Sequence, residues 1–195
     1  MEHKFMSKAW VREMEGKPII NDIELDIPLE VLMLGVTPGD KILHVGACDS
    51  DVNLIEGFEK RNVDVFYLGV DVKEEIKELG EKYKEVDHYS FIQQPIQQLI
   101  DDELADQYGA TIFNYTIMTG VFNKPIYEDR HYLFISTLVD RCLKFSKNVI
   151  FTLDTKEYNK FNYSVLYVIN NIINTYNLAI VKKLKKNNYI FCITQ

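Results

Sequence analysis

Apolar and polar positions alternate between two periods along this chain. Residues 41–46 (Lys-Ile-Leu-His-Val-Gly) follow the turn signal Thr37-Pro38-Gly39-Asp40 and read as a short buried strand that ends on a glycine. From Asp51, Val52, Leu54, Ile55 and Phe58 recur at helical spacing as far as Arg61-Asn62, which predicts a helix directly after the loop. A second strand is expected at 65–71. A surface helix follows over 74–86, where Ile76, Leu79, Tyr83 and Val86 share one face.

Residues 88–93 read as a third strand, and Pro95 suits the first turn of a helix with Ile96, Leu99, Ile100 and Leu104 inward. A fourth strand at 111–118, a helix at 128–145 with Leu133, Leu138, Cys142 and Phe145 inward, and a fifth strand at 148–153 complete five strand and helix units. Such a succession implies a parallel sheet covered on both faces. The last third differs. A helix over 158–176 carries the apolar stripe Phe161, Leu166, Ile169, Ile172, Ile173 and Tyr176, read as core. Two short strands, 178–184 and 189–194, then face each other across Lys185-Lys186-Asn187-Asn188 as an antiparallel hairpin. With no repeat, low-complexity tract or linker, residues 1–195 are expected to form one domain, a helical N-terminal extension at 1–35 leading into a core at 36–195.

Composition narrows the class. Hydrophobic residues make up 47% of the 195 and charged ones 26%, the balance of a chain that folds alone. A net charge of −7 argues against a protein that tracks a phosphate backbone. The one basic stretch, Lys182, Lys183, Lys185 and Lys186, reads as a solvated hairpin tip. Cys48, Cys142 and Cys192 are odd in number and lack metal spacing, so neither a disulfide framework nor a metal site is expected, and a reducing compartment fits. The N-terminus has no signal-peptide core, and no apolar run reaches the ~18 residues of a membrane span. These features point to a cytoplasmic protein without a membrane partner.

Candidate chemistry lies in the loops that follow the strands. Ile42-Leu43-His44-Val45-Gly46-Ala47-Cys48-Asp49-Ser50-Asp51 ends the first strand, and Tyr67-Leu68-Gly69-Val70-Asp71 puts an acid at the end of the second, 71 − 46 = 25 residues after Gly46. Gln93-Gln94-Pro95 ends the third. Phe113-Asn114-Tyr115-Thr116-Ile117-Met118-Thr119-Gly120-Val121-Phe122-Asn123 carries the fourth into its loop. With the terminal hairpin, this order resembles the class I S-adenosylmethionine (SAM)-dependent methyltransferases, α/β proteins with a Rossmann-like, mainly parallel twisted sheet. Gly46 matches the first glycine of the family's glycine-rich loop, Cys48 and Ser50 stand in the places of the second and third, and His44 takes the usual acidic place.

The resemblance implies SAM as cofactor, contacted by Gly46, Ala47, Cys48, Asp71, Val72, Gln94, Met118 and Thr119. Asp71 is the residue it assigns to the ribose hydroxyls, because two carboxylate oxygens can take two donors. On its own, Asp71 reads equally well as a cap of the helix near Lys73. Gln94 offers an amide oxygen to an adenine amino group, or is an ordinary polar strand end. His44 and Cys48 are four apart, but one lies in a strand and the other in a loop, so they read as packing and not as a metal pair. No Asp- or Asn-Pro-Pro-aromatic motif is present, which separates the chain from enzymes that methylate exocyclic amines of DNA bases. The dinucleotide fingerprint Gly-x-Gly-x-x-Gly is also absent.

Methyl transfer from a sulfonium is a direct displacement and needs no fixed triad. No catalytic residue is assigned. Asn123, Tyr127 and His131, with the segment containing Trp10, are the candidates around the acceptor, and His131 at a helix start reads as a surface residue. Two functions are expected: SAM-dependent methyl transfer to a small molecule or protein, or a methyltransferase-like structural or interaction protein without catalysis, working with a protein partner or as a homo-oligomer. Nucleic acid is disfavoured as a partner.

Overall fold

The computed structural model describes residues 27, 31–32, 34–48, 54–102, 113–123, 131–154, 158, 164–176, 179–183 and 188–194. Strands β1 (Lys41–Val45), β2 (Phe66–Asp71), β3 (Tyr89–Gln93), β4 (Phe113–Met118) and β5 (Ser146–Asp154) alternate with helices α1 (Leu54–Lys60), α2 (Ile76–Lys82), α3 (Ile96–Asp102) and α4 (His131–Leu143). Helix α5 (Val165–Thr175) precedes β6 (Ala179–Lys183) and β7 (Asn188–Thr194). The expected parallel α/β sheet with a terminal hairpin is therefore present. Its seven strands run in the order β3-β2-β1-β4-β5-β7-β6. The first five pair in parallel, and β7 inserts antiparallel between β5 and β6.

The strands have this composition because the sheet is covered on both faces. In β1 every residue after Lys41 is buried, and in β2 every residue after Phe66. Alternate side chains feed two cores. Leu43, Val45, Leu68, Val70, Val149 and Phe151 face the layer formed by α3, α4 and α5. Ile42, Tyr67, Tyr115, Ile117 and Ile150 face the opposite layer, where α1 contributes Leu54, Ile55 and Phe58.

Most expected elements recur with shorter ends. The expected helix and strand starts at 51, 111 and 128, and residues Leu104 and Phe161, lie outside the described residues, as does most of the proposed extension at 1–35. Two expected core residues are corrected. Leu133 and Leu166 are 59% and 61% exposed. In α4 the inward face is set by Ile135, Leu138, Val139 and Cys142, and at 100° per residue Leu133 falls on the opposite side. In α5, Val168, Ile169 and Ile172 take the inward face, and Leu166 lies beyond its margin.

One backbone position governs how β1 ends. Gly46 has φ +80°, a left-handed conformation, and a Cβ there would lie 2.9 Å from the Thr119 carbonyl oxygen and 3.2 Å from Val121 Cγ2. Gly39 is also left-handed, at φ +85°, but faces open space. Gly39→Ala is expected to cost only the conformational penalty of about 1–2 kcal/mol. Gly46→Ala adds a steric clash and should lower the melting temperature distinctly further, at roughly 2–4 °C per kcal/mol. Equal losses in the two variants, measured by thermal unfolding, would show that the approach of Gly46 to Thr119 has no energetic weight.

Candidate functional site

The strand order reverses between β1, which leads outward to β2 and β3, and β4, which leads the other way to β5. At such a switch point the loops beyond the strand ends diverge and leave a crevice. The loops at the carboxyl ends of β1, β2 and β3 are tied to one another by the backbone. Gly46 N–H and Ala47 N–H both donate to the Val70 carbonyl, at 2.9 and 3.4 Å. Gln94 N–H donates to the Asp71 carbonyl at 2.9 Å, and Gln93 Nε2 donates to the Val72 carbonyl at 3.3 Å.

Asp71 is at the centre of this arrangement and only 7% exposed. Its Oδ1 accepts the Lys73 N–H at 3.0 Å, closing a local turn and not capping a helix, since α2 begins at Ile76 with Glu75 at its N-cap, and its Oδ2 accepts the Cys48 N–H at 2.9 Å. The carboxylate thus joins the loop after β1 to the turn after β2. Burial, and then the negative charge of Asp71 and a hydrogen bond to it, push the Cys48 thiol up to about 11. Cys48 is therefore a neutral thiol at physiological pH. Val72, the next residue, is apolar and 63% exposed.

Of the eight residues implied as cofactor contacts, Gly46, Ala47, Cys48, Asp71, Val72 and Gln94 lie around the tips of β1 and β2. Met118 is fully buried in the core that faces α4. Thr119 is buried below the loop, with its hydroxyl turned to His44.

His44 is buried, as expected for packing, but it is also fully engaged. Its Nε2 lies 2.8 Å from Thr119 Oγ1, and its Nδ1 hydrogen-bonds the Tyr67 hydroxyl. A neutral imidazole has one N–H and one lone pair, so one hydroxyl donates and the other accepts. Burial holds the ring neutral, lowering its pKa to about 3 against the opposing effect of Asp71. Burial also raises Tyr67 well above an ordinary phenol. Room for this contact comes from Gly69, where a Cβ would lie 2.8 Å from Phe91 Cδ1 and 3.1 Å from Tyr67 Cε1. Among the described residues no group of three metal-ligating side chains exists.

On the far side of the switch point the loop after β4 is fastened to β5. Gly120 N–H donates to Thr152 Oγ1 at 3.2 Å, and Asn123 Oδ1 accepts the Asp154 N–H at 3.1 Å. The Phe122 carbonyl accepts the Tyr158 hydroxyl at 2.9 Å, and His131 Nε2 lies 2.6 Å from that hydroxyl. His131 is 0% exposed, which corrects its reading as a surface residue. Burial lowers its pKa, opposed by its hydrogen bond to Phe122. Its place was legible, since 131 is in phase with 135, 138 and 142 on the inward face of α4. Tyr158 has no such signal, because its partners lie 27 and 36 residues away. Trp10 and Tyr127 lie outside the described residues.

No protein-family model and no curated protein matches the chain. Solved structures do. A SAM-dependent methyltransferase from Aquifex aeolicus superposes with a TM-score of 0.56 at 15% identity, covering 95% of this chain and 96% of that one. A putative ribosomal RNA methyltransferase from Plasmodium falciparum gives 0.55 at 12% identity, covering 97% of each. TrmK from M. capricolum, solved with S-adenosylhomocysteine (SAH), gives 0.53 at 10% identity over 88% of this chain and 69% of its own. The chain has the class I SAM-dependent methyltransferase fold.

The buried imidazole makes stability depend on acid in a defined way. His44 has a folded pKa of about 3 against 6.5 when free, so its contribution is complete above pH 6.5 and is lost as pH falls from 6.5 toward 3. The slope approaches one proton, about 1.4 kcal/mol per pH unit. Urea unfolding of wild type and His44→Gln between pH 7 and 4.5 should show the wild type losing stability faster. His131 titrates in both proteins and cancels, so parallel curves would remove His44 as the source.

Proposed function

We propose that the chain is a SAM-dependent methyltransferase acting on a small molecule or a protein. The observation that supports this most directly is the Asp71 carboxylate at the tip of β2, beside the left-handed Gly46 turn and at the switch point of a sheet with this strand order. A carboxylate with two oxygens suits a vicinal diol, and exposed Val72 beside it suits an apolar ring face. Gly46, Ala47, Cys48, Asp71, Val72 and Gln94 would hold the nucleoside half, and Met118 and Thr119 would form the floor toward the acceptor.

When bound, SAM supplies a methyl group already activated on a sulfonium sulfur. What remains for the chain is to orient the acceptor and exclude water. We assign no catalytic base, because His131 is buried and hydrogen-bonded within the loop it would serve. A small-molecule or protein acceptor agrees with the net charge of −7. Three free cysteines agree with a reducing cytoplasm, and among the described residues no helix is long and apolar enough to cross a membrane.

A second reading, a methyltransferase-like interaction protein without catalysis, draws on a specific observation as well. Both Asp71 oxygens and the Gly46, Ala47 and Cys48 amides are already paired within the chain. Thermal unfolding with SAM or SAH separates the two. At about 100 times the dissociation constant the ligand adds about 2.7 kcal/mol, roughly a 5–10 °C rise at this size. Asp71→Asn should abolish the rise, and it should also destabilise the unliganded protein by about 1–3 kcal/mol because it strands a backbone donor. No shift in wild type at millimolar ligand would favour the interaction protein.

A further inference from the structure

The amino ends of β1, β2 and β3, at the opposite end of the sheet from the crevice, hold a second recess. The chain entering these strands is laced together there by its backbone. Gly39 N–H donates to the Asp64 carbonyl at 2.8 Å, Phe66 N–H to the Asp40 carbonyl at 2.9 Å, and Tyr67 N–H to the His88 carbonyl at 2.9 Å. Between these segments lies a cavity of about 260 Å³ lined by Gly39, Asp64, Val65, Phe66, Asp87 and His88. A Cβ at Gly39 would meet nothing within 4 Å, so the wall is open at that point. The space suits one small organic molecule.

The lining selects the sign of what binds. Asp64 and Asp87 bring two carboxylates, and no lysine or arginine lines the cavity among the described residues. Of their oxygens, only Asp64 Oδ1 has a partner among the described residues, His88 Nε2 at 2.8 Å. That contact holds one carboxylate in place and leaves its second oxygen, and the whole of Asp87, available. Phe66 is apolar yet 53% exposed. Its ring stands at 75° to that of His88, with 6.1 Å between centroids. Two carboxylates beside an exposed aromatic ring favour a positive charge on a small apolar frame. A metal ion does not fit, because no three ligating side chains converge among the described residues.

We propose that this recess is a binding site for a small organic amine, its ammonium group paired with Asp64 and Asp87 and its apolar part laid against Phe66. The site is separate from the crevice at the carboxyl ends of the strands and does not depend on the SAM reading. It gives a purpose to an aromatic residue that the core leaves half in water.

Benzylamine tests the proposal, with benzyl alcohol as an uncharged control of nearly the same shape. In an amide NMR titration of the full chain at neutral pH, benzylamine should move the resonances of residues 39, 64–66, 87 and 88 along a saturating curve. The dissociation constant should be on the order of 1 mM for a ligand this small. The resonances of residues 46–48 and 71–73, at the other end of the strands, should stay in place. Benzyl alcohol should give no saturating shift. The double change Asp64→Asn, Asp87→Asn should weaken benzylamine roughly tenfold, and Phe66→Leu roughly threefold. All three positions are exposed, so the variants keep the core intact. Shifts that grow linearly without saturation, equal binding of the alcohol, or an undiminished affinity in either variant would overturn the site.

Discussion

β1 runs through the middle of a sheet whose two faces are both buried, so the chain leaving its carboxyl end has no lateral room. On one side stands the Thr119 carbonyl, too close to admit a Cβ at Gly46. On the other stands Asp71, which takes the Cys48 N–H. The loop is therefore threaded between two fixed neighbours within three residues, and the left-handed turn at Gly46 is what permits the passage. The candidate site consists of groups pinned by this constraint.

Two buried histidines fasten the two sides of the crevice, His44 through both ring nitrogens and His131 through Nε2. His44 bridges a phenol on β2 and a hydroxyl just after β4. His131 joins the start of α4 to Tyr158 and to the Phe122 carbonyl in the loop after β4. Both rings are held neutral by burial, so they act here as hydrogen-bonding spacers and not as charges. The His44 imidazole, with both nitrogens hydrogen-bonded, positions its neighbours firmly, because any displacement leaves a polar atom unpaired in a dry interior.

How much of this the sequence discloses follows from the range of each interaction. Runs such as Ile42–Val45 and the 3.6-residue spacing of Ile135, Leu138 and Cys142 are local patterns, and the parallel sheet with its terminal hairpin was legible from them. The inward faces of α4 and α5 were less so. Anchoring the phase on Leu133 or Leu166 gives an apolar stripe as plausible as the true one, and only packing against β5 and its neighbours decides between them. Position 71 could be read from its spacing, but its partner could not. The Cys48 N–H comes from 23 residues upstream, and nothing in either local segment marks the pair.

The placement of β7 has a consequence for how the chain is made. β7 follows β6 in the sequence yet sits inside the sheet, bonded to β5 on one side and β6 on the other. During synthesis β5 therefore presents an edge of unpaired backbone N–H and C=O groups, and β6 has no partner, until β7 has left the ribosome. Strand edges of this kind recruit other chains. The nascent polypeptide passes through an interval in which self-association competes with completion of the sheet, and any pause in translation between β5 and β7 lengthens that interval.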